Sequence, residues 1–138
     1  MYRDLNSNVD VQESIRPQTA DGAVDGETVD LRGADSAIVA VSVGAITGTA
    51  GDATVTLEES ADGTTWSDVA DADILGDEPT LAANTAYQFG YIGGERYIRA
   101  TFALGNETDV AVSATVIRGH LHKAPSDQAN SAPTYTGT

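Results

Sequence analysis

Apolar and polar positions alternate over most of the chain. Val39, Val41 and Val43 fall on one side of an extended segment, with Ile38, Ala40 and Ser42 on the other. A period of two marks a half-buried β-strand. The same period runs through Val55 and Leu57, through Tyr87, Phe89 and Tyr91, and through Val110, Val112, Ala114 and Val116. In residues 97–102, Tyr97, Arg99 and Thr101 oppose Ile98, Ala100 and Phe102. The second set is the better core filler, which predicts that Arg99 faces outward. Weaker strands are predicted over residues 9–15, 28–31 and 65–69. No segment carries a 3.6-residue apolar stripe. Residues 71–83 have room for one short helical turn, because Gly76 and Pro79 interrupt anything longer.

Glycine, aspartate and asparagine punctuate these segments. Asp62-Gly63 predicts a hairpin turn, since glycine supplies the positive φ that such turns demand. Trp66 follows at once and is predicted to lie buried, closing one end of a sandwich. Gly93-Gly94 predicts a second hairpin, joining residues 91–92 to residues 96–97. Short strands and frequent turn signals together predict an all-β fold: a single β-sandwich, jelly-roll-like or Ig-like. Its expected limits are residues 26–123. Residues 1–25, polar and containing Pro17, are expected to form an N-terminal arm. Residues 124–138 are small and polar with two prolines, and are expected to form a C-terminal tail.

A chain of 138 residues suits one domain and one core. Its 21 acids against 7 bases give a formal net charge of −14. A surface this negative repels phosphate backbones and anionic lipid, so neither nucleic acid nor a membrane is an expected partner. There is no cysteine, which removes disulfides, thiolate zinc sites and thiol nucleophiles. The N-terminal residues contain no apolar core of a signal peptide, and the longest near-apolar run, residues 37–46, is too short to cross a bilayer. The expected setting is the cytoplasm where the chain is made, or a particle assembled there.

Candidate chemistry is sparse. His120 and His122 alternate in GHLHK, and on a regular strand both rings would share a face that zinc could use. The plainer reading is a strand end with both rings in solvent or at an interface. Asp71, Asp73, Asp77 and Glu78 form an acidic loop, but the spacing lacks the closing glutamate of a calcium loop. There is no Gly-x-Ser-x-Gly elbow and no phosphate-cradling loop. No catalytic residue, metal or cofactor is therefore expected, and the chain reads as non-enzymatic. Charge placement says more. Between Arg32 and Arg96 there are eleven acids and not one lysine or arginine. Either the whole surface is simply acidic, or the molecule is polar, with a more basic side facing a partner.

Three strings now stand together: LEESADGTTWSDV over residues 57–69, YIGGERYIRAT over residues 91–101, and GHLHKAP over residues 119–125. Their combination resembles a group of small structural proteins of tailed bacteriophages, prophages and gene-transfer agents, across about residues 20–125. The resemblance implies a virion protein that decorates and cements a capsid. It implies the major capsid protein as partner, a location on the head surface, and a homo-oligomer, with a trimer favoured by head symmetry. Arg3, Arg16, Arg99, Arg118, His120, His122 and Lys123 are the expected interface residues, and Asp62, Gly63 and Trp66 the structural turn and core. Two alternatives stand beside it: a head–tail connector or tail component, and a carbohydrate-binding sandwich that uses Trp66.

Overall fold

The computed structural model describes residues 3–49 and 51–123. These form ten strands, in chain order β1 (Asp10–Ala20), β2 (Val24–Asp25), β3 (Val29–Asp30), β4 (Ala34–Gly48), β5 (Thr54–Ser60), β6 (Ser67–Asp68), β7 (Ile74–Leu75), β8 (Ala86–Tyr91), β9 (Tyr97–Ala103) and β10 (Glu107–Leu121). Helix is confined to two 3-10 turns, Asn6–Asn8 and Asp71–Asp73. The second is the short turn expected in the acidic loop.

The strands make two antiparallel sheets. The first has the order β1-β10-β4-β8-β7, and the second the order β2-β9-β5-β6, with β3 also paired to β9. The fold is thus all-β, consistent with a β-sandwich. The two longest strands, β4 and β10, lie side by side in the middle of the first sheet. Their inward rows are those the alternation predicts: Val39, Val41 and Val43 from β4, and Val110, Val112, Ala114 and Val116 from β10 are all buried. Val55 and Leu57 of β5 and Ile98, Ala100 and Phe102 of β9 complete the core from the second sheet. Burying each such side chain contributes about 1.5–3 kcal/mol, which makes this single core the main source of stability.

Two expectations are corrected here. The N-terminal arm over residues 1–25 is not an arm throughout. Residues 10–20 are the edge strand of the first sheet, paired with β10, with Ile15 and Ala20 in the core. The reason is a clasp between sheets. The register shifts on both sides of Ile15, and the buried Ser14 beside it turns toward the second sheet. Its Oγ accepts the Ala100 N–H at 2.8 Å and donates to the Glu27 carbonyl at 3.0 Å. Gly26 lies against this clasp: a Cβ there would come within 2.4 Å of the Ala100 oxygen. Pro17 and Arg16 then blunt the open edge of β1 against further strand pairing.

Gly93-Gly94 is not a hairpin turn either. β8 belongs to the first sheet and β9 to the second, so residues 92–96 cross between sheets. The crossing is held by Tyr91, whose hydroxyl donates to Glu59 at 2.8 Å and accepts the Glu95 N–H at 3.0 Å. Burial, then the Glu59 hydrogen bond, raises the phenol pKa well above its usual range. A side chain at Gly93 would collide with the Tyr91 ring, its Cβ falling 2.5 Å from the hydroxyl.

Candidate functional site

The register defines two ends of the molecule. At the first end, β1 begins opposite the close of β10, with Asp10 against Arg118. Chain entry and chain exit therefore lie together. The same end carries residues 31–33, the crossing at 92–96 and the hairpin at 61–66. At the opposite end lie residues 20–23, 44–49, 51–53, 79–85 and 104–109.

The bases sort by end. Arg32, Arg96, Arg118 and Lys123 all stand at the first end. Asp21, Asp52, Glu107 and Asp109 stand at the other, where the described residues include no lysine or arginine. The first end is not basic on balance, because Asp10, Asp30, Asp35, Asp62 and Glu95 stand there too; the bases are unevenly placed on a surface that is acidic at both ends.

Arg118 is the structural centre of the first end. Its guanidinium binds both oxygens of Asp10, with Nε 2.7 Å from Oδ1, and donates to the carbonyls of Asp30 and Arg32 at 3.0 Å each. Both partners of the ion pair are largely buried, with side-chain exposures of 14% and 11%. Asp10 holds the guanidinium pKa above its ordinary value. Arg96 grips Asp30 through two bonds, at 2.9 and 2.8 Å, and lies over the Tyr97 ring at 4.9 Å. That grip pushes the Asp30 carboxyl down to about 2.

The hairpin after β5 behaves as a capped six-residue loop. Gly63 takes φ +79° as expected, while Asp62 uses its carboxylate instead. The Asp62 Oδ1 accepts the N–H groups of Thr64 and Thr65 at 2.9 Å and the Ser60 hydroxyl at 2.9 Å. The backbone donors, Thr65 foremost, hold this carboxyl well below the usual carboxylate range. The strands rejoin with Glu59 opposite Ser67.

Several expected site residues change character. Trp66 is only half-buried and is not in the core. It lies on the outer face of the second sheet, with the Arg99 guanidinium 4.5 Å from its ring centroid. Arg99 faces outward as predicted, but it is engaged within the chain: it pairs with Glu58 at 2.8 Å and approaches Asp25 at 4.0 Å. Arg99 and Arg118 are thus engaged within the chain, where each offsets a local carboxylate, Glu58 and Asp10 respectively. Arg16 is exposed and only 3.8 Å from Glu13. Arg3 and Lys123 are exposed.

The histidine pair does not form on one face. His120 takes φ +49°, which breaks the alternation of β10. Its Nδ1 meets Ser36 Oγ at 2.8 Å, while His122 Nε2 meets Asp35 Oδ1 at 2.8 Å. Ser36 and Asp35 are consecutive on β4 and point to opposite sides, so the rings part. Among the described residues no group of three or more His, Asp or Glu is placed to hold a metal. In the acidic loop, Glu78 turns inward instead and accepts the Leu57 N–H at 2.6 Å. Burial raises its pKa despite that bond. No helix among the described residues is long and apolar enough to cross a membrane.

One region escaped the sequence reading. The outer face of the first sheet carries a row of apolar side chains across all five strands: Val11 opposite Ile117, Ile117 opposite Ile38, Ile38 opposite Gly90, and Gly90 opposite Leu75. Val11, Ile38 and Leu75 are exposed. Leu5 joins them over a groove of roughly 820 Å³ that Ile38, Ile117 and Leu121 help to line. The signal was present in residues 37–46, whose outward members lack charge as well as the inward ones. A scan of family models and a search of curated proteins return no match to this chain.

Proposed function

We propose that this chain is a non-enzymatic virion structural protein that decorates and stabilises a phage capsid, built on a β-sandwich of the jelly-roll-like or Ig-like kind. Its partner is the major capsid protein, and it acts as a homo-oligomer on the head surface. The observation that supports this most is the shared end of the molecule. Chain entry, chain exit and most of the bases meet there, mixed with acids, whereas among the described residues the far end carries acids and no base. A domain so built can hold a repeating surface with one end and present negative charge outward. The three strings that resemble phage head proteins support the same reading, and two of them border this end.

Attachment then rests on residues 3–9, on Arg32 and Lys123, and on residues 124–138, which lie outside the described residues. Arg99 and Arg118 contribute by shaping the end. The carbohydrate-binding alternative loses support because Arg99 covers a face of Trp66. A connector or tail role has no observation in its favour.

The test is co-sedimentation of purified protein with heads that lack it, with and without residues 126–138. The full chain is expected to pellet at a stoichiometry set by the lattice, and the truncated chain to remain folded and bind more weakly. Failure of the full chain to pellet at any salt concentration would overturn the assignment.

A further inference from the structure

β5 has one continuous edge and one interrupted edge. β9 runs along the first over the whole of Thr54–Ser60. On the other edge β6 pairs only with Glu58 and Glu59, and the Val69 N–H reaches the Leu57 carbonyl at 3.1 Å. The chain then leaves for the first sheet. There β7 pairs with β8, and the Asp73 carbonyl accepts the Ile92 N–H at 2.9 Å. It returns at Pro79, whose carbonyl accepts the Val55 N–H at 3.3 Å, and at Thr80, which bridges to Thr54. Residues 67–80 are therefore a strap that ties the two sheets together along one side. Its two feet part at Leu57, where a side chain and not the backbone closes the gap. Glu78, half-buried, accepts the Leu57 N–H at 2.6 Å.

From this geometry we propose that the strap is operated by charge: its closure over β5 tightens as salt rises or as pH falls below neutral, and slackens in dilute neutral solution. A backbone carbonyl would hold the gap under all these conditions. A carboxylate holds it only with its charge kept partly out of water, which is unfavourable without a counter-charge. The groups that press on Glu78 are themselves acids, Asp68 from β6 and Asp71 from the 3-10 turn, and Asp77 adjoins it in the chain. On β5, Glu58 is paired with Arg99 and Glu59 accepts the Tyr91 hydroxyl, so neither offers Glu78 a cation. The strap itself contains no lysine, arginine or histidine. Burial first, with the two aspartates adding to it, raises the Glu78 pKa above its ordinary value despite the Leu57 N–H. A carboxyl raised in this way opposes closure when ionised, and the opposition is removed as pH falls through the folded pKa. Once protonated, its carbonyl oxygen still accepts the Leu57 N–H. Salt acts in the same direction, because the Debye length shortens from about 30 Å at 0.01 M to about 3 Å at 1 M and the repulsion from Asp68 and Asp71 fades. The strap works within one chain and needs neither a capsid nor a second copy.

Native-state hydrogen exchange of the full chain reads the strap at the Leu57 amide, with rates corrected for the intrinsic effects of pH and salt. The Val116 amide of central β10 is the reference for global opening. At neutral pH, Leu57 protection relative to Val116 is expected to rise about two- to fivefold between about 0.01 and 1 M NaCl, the size expected for two like-charge pairs. In dilute salt it should rise similarly between about pH 7 and about pH 5. Glu78→Gln keeps a carbonyl oxygen for the Leu57 N–H and removes the charge. In that variant Leu57 should be as protected in dilute neutral buffer as the wild type is in salt, and should ignore pH over the same window. Glu78→Ala removes the acceptor and should leave Leu57 weakly protected under every condition. A wild-type Leu57 whose relative protection is flat or falls with salt, or falls as pH drops toward about 5, would overturn the proposal without any variant. A Glu78→Gln chain that still follows salt and pH, or that protects Leu57 no better than Glu78→Ala, would overturn it as well.

Discussion

The outer faces of the two sheets handle charge in opposite ways. On the second sheet, Arg99 faces Glu58 across β9 and β5, stacks on Trp66 and approaches Asp25. Thr56 and Thr101 exchange a hydrogen bond beside them at 2.8 Å. Arg99, Glu58, Trp66, Thr56 and Thr101 there are all partnered within the chain. On the first sheet, the central strands show no charge outward and end in an apolar ridge. One face ties its charges together across strands, and the other leaves apolar surface in water. The difference teaches that an exposed sheet face can be held either by paired charge or by uncharged side chains.

The sharpest way to break this contrast is at the end where both sheets meet. If desolvated charge in this fold is structural, Arg118→Met should have the largest effect. It strands the Asp10 carboxylate, and removing one partner of a buried pair costs about 3–5 kcal/mol. Urea unfolding measures it. A loss under about 1 kcal/mol would place Arg118 among the surface cations.

The second sheet offers an intermediate test. Trp66→Ala should cost about 1–2 kcal/mol, the sum of partial burial and a cation–π contact at an only partly exposed site. Arg99→Ala should fall in the same range, and the double variant should cost less than the two single losses together. Strict additivity would mean that the stack contributes nothing.

A pH titration reaches the first end more gently. The Asp30 carboxyl lies at about 2 in the folded chain, below its ordinary 3.8. A depressed carboxylate stabilises the fold above its unfolded pKa, and the contribution is lost as pH falls from about 4 toward about 2. Both Asp30 and Arg96 are more than 40% exposed, so solvent screening keeps the effect below about 1 kcal/mol. Asp30→Asn should flatten that part of the stability–pH curve. An unchanged curve would remove Arg96 as its cause.

The first sheet should give the smallest response in stability. Ser42→Arg is expected to change the unfolding free energy of the monomer by no more than about 0.5 kcal/mol, as for other exposed sites. A large loss would show that the outward position of Ser42 is needed for the fold.

These contrasts also explain what could be read in the chain. Period-two rows exposed the core, because burial acts on each residue of a strand independently. Val39 through Val43 and Ile98 through Phe102 needed no knowledge of their neighbours. Hairpin and crossing look alike in sequence. Gly63 serves a hairpin loop, but Gly93 lies in a crossing between sheets, where a Cβ would meet the Tyr91 ring. Long-range polar partners were equally hidden, since Arg118 meets Asp10 across 108 positions and Ser14 meets Ala100 across 86. For Trp66 the turn was placed well, but the direction of the ring depended on Arg99 from another strand. The uncharged face was legible in Ser36, Ile38, Ala40, Ser42 and Gly44, yet it has meaning only once β10 and β8 lie beside β4.

The proposed capsid decoration is tested most directly by a cryo-electron microscopy map of particles purified from the organism that encodes the chain. Density for this domain is expected at many symmetry-related sites on the head, with chain entry and exit toward the capsid and the Asp52 and Glu107 end outward. Absence of the domain from the head, or its confinement to the tail or to a single vertex, would contradict that role.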